Sequence, residues 1–197
     1  MSFPEYASHD ALGLAALVKK GEVSASELAE EAVSRIEKHN PALNAVILKL
    51  YDTGRAMAAS PVDGPFKGVP FLLKDAFGDL KGTSTRLGSR FRADTPAMED
   101  AVLTKRFKAA GLTILGKTNV PEYTLLPTTE SKLYGAAHNP WNLDHTTGGS
   151  SGGAAARRCS TAPMAASRAI LIARHPLSGP SSTRLDANPA SCASPTA

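Results

Sequence analysis

At 197 residues, 42% hydrophobic and 20% charged, the chain is long enough for one domain with a core, and its composition excludes a collagen, a disulfide miniprotein and a wholly disordered chain. No run approaches the ~18 apolar residues of a membrane span, and Met1 to Asp10 lacks the basic and apolar pattern of a signal peptide, so a cytoplasmic protein is expected. The net charge of +4 lies wholly at one end: residues 1–153 carry 17 Lys and Arg against 17 acidic residues, whereas 154–197 carry five Arg against Asp186 alone. That last segment is dominated by Ala, Ser and Pro and has no Lys, Glu, Val, Phe, Tyr or Trp. It also holds both cysteines, Cys159 and Cys192, which make neither a disulfide framework nor a metal-ligand spacing. The chain is therefore expected to divide into a globular portion, 1–156, and a tail, 157–197, that is disordered or non-native.

In chain order, Leu12, Leu14, Leu17 and Val18 mark a first helix, ended by Gly21. Ser24 with Glu27 three residues later is a capping-box signature for a second helix. Its apolar residues Leu28, Ala32 and Ile36 recur at spacings of four, and Asn40-Pro41 is expected to stop it. Ala45 to Leu48 reads as a short strand, and the stretch to Ala59 as helical. Pro61 to Lys67 is a turn-rich connection. Val69-Pro70-Phe71-Leu72-Leu73-Lys74-Asp75 reads as a buried strand, residues 98–110 as a helix closed by Gly111, and Leu112 to Leu115 as a further strand. Residues 120–147 hold turn formers with little periodicity. Alternating helices and short apolar strands predict an α/β architecture.

Two features carry possible chemistry. Lys74 ends an apolar strand, where it either snorkels to solvent or is desolvated enough to act as a neutral general base. Thr146-Thr147-Gly148-Gly149-Ser150-Ser151-Gly152-Gly153, followed by three alanines, is either a flexible linker or a loop whose backbone approaches a ligand at a helix start. It lacks the Gly-Lys-Ser/Thr ending of a phosphate-binding loop. Gly116-Lys117-Thr118 is set aside as a nucleotide site on spacing, since the first glycine is sought six residues before Gly116 and position 110 is alanine. His138 and His145 read as loop histidines, and Trp141 as a packing residue.

Taken in order, Gly68 to Asp75, Leu115 to Glu122, Gly135 to Asn142 (G-A-A-H-N-P-W-N) and G-G-S-S-G-G resemble the amidase signature family over residues 9–156. The run G-P-F-K-G-V-P-F-L-L-K-D is most similar to the branch that includes the 6-aminohexanoate cyclic-dimer hydrolases. The resemblance implies an α/β fold, the N-terminal part of a mixed sheet covered by helices. It also implies a serine hydrolase of carboxamides with a Ser–Ser–Lys triad, with no cofactor and no metal. Lys74 matches the family's lysine and Ser150 the bridging serine that follows a cis peptide bond; Gly148, Gly149 and Ser151 fall at substrate-binding positions. The implied partner is a small amide, with no nucleic acid and no membrane; the oligomeric state is open. A serine hydroxyl is a weak nucleophile until a base takes its proton, and a buried neutral lysine can do so through a second hydroxyl.

The sequence departs from the family where the nucleophile belongs, about two dozen residues beyond the bridging serine. Ser167 to His175 shows no Gly-Gly-Ser-x-Arg-x-Pro motif, so the nucleophile is unknown and the chain is expected to be a truncated, inactive form. Ser160, Ser167 and Ser178 lack the glycine context for oxyanion stabilisation. Translation out of frame would explain both the lost motif and the changed composition. Read from each third codon base, Ala162 to Ala166 permits Ala-His-Gly-Ser, and Ile170 to Leu177 permits Ser-His-Arg-Ala-Pro-Pro-Ala. A genuine Ala/Ser/Pro-rich extension and a basic nucleic-acid-binding arm are the alternatives for the tail. For the whole chain they are a catalytically dead fragment with a binding role and a relative of the amidase component of glutamyl-tRNA amidotransferase. Against the last, the neutral first 153 residues give no electrostatic footprint for RNA. Missing sheet neighbours are expected to leave an open edge and exposed apolar surface.

Overall fold

The computed structural model describes residues 3–160. Most of the expected tail, with Ser167, Ser178 and Cys192, falls outside the described residues, as do the side chains of Cys159 and Ser160. After a 3-10 turn at Pro4–Ser8, α1 spans Ala11–Lys20. The Asp10 carboxylate accepts from the Gly13 amide, and Gly21, at φ 75°, closes the helix through its N–H to Leu17 and Val18 carbonyls. Glycine takes this left-handed position without the Cβ clash of other residues.

The α2 helix (Ala25–Leu43) opens with the expected capping box: Ser24 Oγ accepts from the Glu27 amide and the Glu27 carboxylate from the Ser24 amide. It does not stop at Asn40-Pro41. Pro41 lies inside the helix, and the turn continues to Leu43 before Asn44, at φ 46°, caps it. Proline removes one amide from the ladder, a loss that the last turn tolerates because so little helix follows. Asn40 then directs the chain into β1 (Val46–Lys49), its Oδ1 accepting from the amides of Ala45 and Val46.

Helix α3 (Tyr51–Ala59), strand β2 (Pro70–Lys74), helix α4 (Val102–Ala109) and strand β3 (Thr113–Thr118) follow. The three strands form a mixed sheet in the order β1-β3-β2, with β3 antiparallel to β1 and parallel to β2. Every residue of β3 is buried. Leu14, Leu28, Ile36, Phe71, Leu73, Ile114 and Leu115 make the core between the helices and this sheet. The α/β architecture is as expected, with α4 starting later than predicted and β3 running on through Gly116, Lys117 and Thr118.

That extension corrects the reason for setting aside Gly116-Lys117-Thr118. The nucleotide pattern needs its glycines five apart, and Gly111 supplies the first, so spacing alone permits it. The fold forbids it. Gly116 is inside a buried strand, where a Cβ would come within 2.5 Å of the Leu48 carbonyl oxygen, and no α-helix starts directly after Thr118. A phosphate cradle needs an open loop before a helix N-terminus.

Residues 120–147 are less featureless than predicted. A 3-10 turn at Glu122–Thr124 is followed by two short antiparallel pairs, β4 (Glu130–Ser131) with β5 (Gly135–Ala136) and β6 (His138–Asn139) with β7 (Asn142–Thr146). Helix α5 (Gly152–Ser160) begins within the glycine–serine stretch. Trp141 is 45% exposed, contrary to its expected packing role. Phe77, Phe91, Met98 and Leu125, all outside the three-stranded sheet, are more exposed still. No helix among the described residues is long and apolar enough to cross a membrane.

Candidate active site

The last residue of β2 and the first turn before α5 meet although 76 positions separate them. Lys74 is half-buried, and its Nζ lies 2.9 Å from Ser150 Oγ and 2.9 Å from Ser151 Oγ. Burial lowers its pKa from 10.5 to about 8, because the ammonium loses water and no carboxylate among the described residues compensates it. At pH 8 about half of the Lys74 amines are therefore neutral. The protonated amine donates to both hydroxyls; the neutral one can accept a proton from either. The site thus joins an amine of lowered pKa to two serine hydroxyls.

The glycine–serine loop is held on the other side by Thr129. Its hydroxyl donates to the Gly148 carbonyl at 2.9 Å and accepts from the Gly152 amide at 3.0 Å. The Gly149–Ser150 peptide is cis. A Cβ on Gly149 would lie 2.7 Å from the Thr128 carbonyl oxygen, and one on Gly153 would lie 2.4 Å from the Asn119 amide nitrogen, so these approaches require glycine. Asn119 itself donates to the carbonyls of Asn44 and Gly135, while Asn44 donates to those of Tyr134 and Ala136. These two asparagines tie β5 and the start of α5 to the end of the sheet.

A second polar group lies behind the first. Lys117 is 0% exposed and donates to the Ser84 carbonyl and Thr85 Oγ1, each at 2.7 Å. Burial lowers its pKa, opposed by the negative charges of Asp75 and Asp79. Asp75, 1% exposed, does not turn toward Lys74; its carboxylate accepts from the Tyr134 hydroxyl at 2.9 Å. Burial raises the Asp75 pKa, while the Tyr134 hydrogen bond and the Lys117 charge pull it back. Successive strand residues face opposite sides, which is why neighbours in sequence serve different clusters.

Of the residues expected from sequence, Lys74, Ser150 and Ser151 are brought into one cluster, and Gly148 and Gly149 form the loop that presents them. Thr129, Asn119, Lys117 and Tyr134 were not anticipated. For Thr129 a trace existed in the Thr-Thr-Glu run ahead of Asn-Pro-Trp. His138 Nδ1 lies 2.9 Å from the Leu143 carbonyl oxygen, a local contact of β6 and β7.

A family model described as Amidase matches residues 27–160. The chain belongs to the amidase family. It is 43% identical over 153 residues to the 6-aminohexanoate-cyclic-dimer hydrolase of Paenarthrobacter ureafaciens, covering 75% of this chain and 30% of that one. It is 41% identical over 159 residues to a glutamyl-tRNA(Gln) amidotransferase subunit of Thiobacillus denitrificans, covering 77% and 32% respectively. A solved structure of 6-aminohexanoate cyclic dimer hydrolase superposes with a TM-score of 0.74 at 39% identity, over 79% of this chain and 32% of that chain. The fold is that of the amidase signature enzymes. The chain spans about a third of the length of the curated relatives it matches.

Proposed function

We propose that this amidase chain carries the base and the relay of a serine acyl-transfer site acting on a small carboxamide. The observation that carries the reading is the Lys74 amine, desolvated and 2.9 Å from two serine hydroxyls. Lys74 is the general base and Ser150 the relay hydroxyl. Gly148, Gly149 and Ser151 line the place of the scissile carbonyl. In the cycle, Ser150 passes a proton from the acyl-accepting serine to neutral Lys74, and the ammonium later returns a proton to the departing amine. This division of labour needs a third serine with oxyanion donors, and among the described residues no third serine hydroxyl is hydrogen-bonded to Lys74 or Ser150. Removing such donors from a hydrolase costs about 10²–10³ in turnover. The chain alone is therefore inactive toward carboxamides.

A chimera tests the first half: residues 27–156 of this chain replace the matching segment of the Paenarthrobacter hydrolase. Amide hydrolysis is expected in the chimera, abolished by Lys74→Met and strongly reduced by Ser150→Ala; hydrolysis undiminished by Lys74→Met removes the assignment. For the second half, amide turnover by the purified 197-residue chain that disappears with Lys74→Ala contradicts the inactivity. The same reading takes the sequence after about Ala156 as out of frame, supported by the lost nucleophile motif and the changed composition. Sequencing the coding DNA from Gly149 to Pro176 tests this, since no family-like text in the other two frames ends it.

A further inference from the structure

The second hydroxyl on Lys74 has no duty in a relay mechanism beyond lining the site, yet its geometry is the better one for attack. Ser150 is half-buried and follows Gly149, which is wedged against backbone carbonyls of Leu126 and Thr128. Ser151 is exposed while its Oγ keeps the same 2.9 Å to Lys74 Nζ. Its backbone is anchored on both sides: its carbonyl accepts from the Ala155 amide, and the next amide, of Gly152, is held by Thr129 Oγ1. A fixed backbone, an accessible hydroxyl and a base at hydrogen-bond distance are the parts of a Ser–Lys nucleophile.

We infer that Ser151 is an acyl-accepting nucleophile of this chain, activated directly by Lys74, and that its donors are activated aryl esters rather than alkyl amides. The inference rests on Lys74 being the base, as in the proposed function. The donor class follows from the amides nearby. The Gly152 N–H is taken by Thr129 Oγ1 and the Gly153 N–H by the Asn119 carbonyl, so neither is free to stabilise a tetrahedral oxyanion. Without that stabilisation only a donor with a good leaving group reacts at a useful rate. In the step, Ser151 Oγ bonds to the ester carbonyl carbon and its proton passes to Lys74 Nζ. The carbon–oxygen bond to the aryl group breaks, and the electron pair leaves with the phenolate.

The experiment treats the full chain with p-nitrophenyl acetate across pH 6–10 and maps acetyl groups by peptide mass spectrometry, with Lys74 titrated by NMR in the same preparation. One acetyl group is expected on Ser151. Its rate of appearance should rise with pH to a plateau with the Lys74 titration, and fall about 100-fold in Lys74→Met. Acetyl found on Ser150 or on the Lys74 amine instead, or a Ser151 rate unchanged in Lys74→Met, overturns the inference. Mapping the unaltered chain makes the result independent of how any variant folds. The NMR arm separates the two readings. No acetyl on Ser151 with a Lys74 midpoint near 8 sinks the nucleophile alone; a midpoint at the ordinary 10.5 sinks the base, and both readings with it.

Discussion

Lys74 and Lys117 sit at adjacent strand ends, Leu73 pairing with Lys117 and Lys74 with Thr118, and burial lowers the pKa of both. Only one of them contacts two groups that can exchange a proton with it. Lys117 points its protons at a carbonyl and a hydroxyl, is sealed from water, and has the charge of Asp75 to favour its ammonium. Lys74 meets two hydroxyls that can give or take a proton, has no compensating carboxylate among the described residues, and keeps contact with solvent. Desolvation is therefore not the distinguishing property. What separates a proton-transfer lysine from a structural cation is whether its partners can change protonation with it.

The largest expected effect comes from removing the structural member. Lys117→Met leaves the Ser84 carbonyl and Thr85 hydroxyl without their donor and Asp75 without its nearby cation, inside the sheet. A loss of about 3–5 kcal/mol in urea unfolding is expected. A loss under about 1 kcal/mol would mean that Lys117 is neutral and dispensable, and the contrast collapses. Next, Gly153→Ala pushes a Cβ into the backbone of Asn119, to 2.4 Å from its nitrogen, and this is backbone that cannot swing aside. About 1–3 kcal/mol of stability should go. The displaced start of α5 should also draw Ser150 and Ser151 off Lys74, returning its NMR midpoint toward 10.5. An unmoved midpoint would show that burial by the strand alone sets the lysine.

Tyr134→Phe is a gentler probe of the same wall. It deletes one hydrogen bond to the buried Asp75 carboxylate, worth about 1–3 kcal/mol when the acceptor is left unsatisfied. Because that bond favours the ionised carboxylate, its loss should raise the Asp75 pKa further. The folded chain then holds that proton more tightly than the unfolded chain, so the stability lost at neutral pH should shrink as pH falls through the raised pKa. Lys74 faces the other side of β2, and its titration should not follow.

Much of this organisation is written locally and some of it is not. The capping box at Ser24, the left-handed stop at Gly21 and the apolar run of β2 are local chemistry, so a window of a few residues reveals them. The pairs β4–β5 and β6–β7 hold two to five residues each, too few for periodicity, and long-range bonds from Asn44 and Asn119 position the first pair. The Lys74–Ser150 contact spans 76 positions and is legible only through the order of motifs in a related family. Lys117 is hidden for a different reason: it falls beyond the expected end of the strand at Leu115, in the Gly116-Lys117-Thr118 run that is set aside as a nucleotide site. Nothing local announces that residues 84 and 85 come back to cap it.

The smallest effect discriminates most sharply, because its sign changes nowhere but its size depends on pH. With a folded pKa of about 8 against an ordinary 10.5, Lys74 binds fewer protons in the folded chain than in the unfolded chain between these values. Stability of the parent chain should therefore rise as pH increases from about 8 to 10.5, and the contribution is lost as pH falls back through 8. Lys74→Met has no such proton to exchange. Its stability relative to the parent should be most favourable below pH 8 and decline across that window. Solvent reaches the half-buried amine, so the difference is on the order of 1 kcal/mol and is best read as paired urea midpoints at pH 7 and pH 10. A flat difference would place Lys74 with an ordinary pKa. It would then be a surface cation touching two serines, and Lys117 would be the only lysine of the pair whose proton the fold controls.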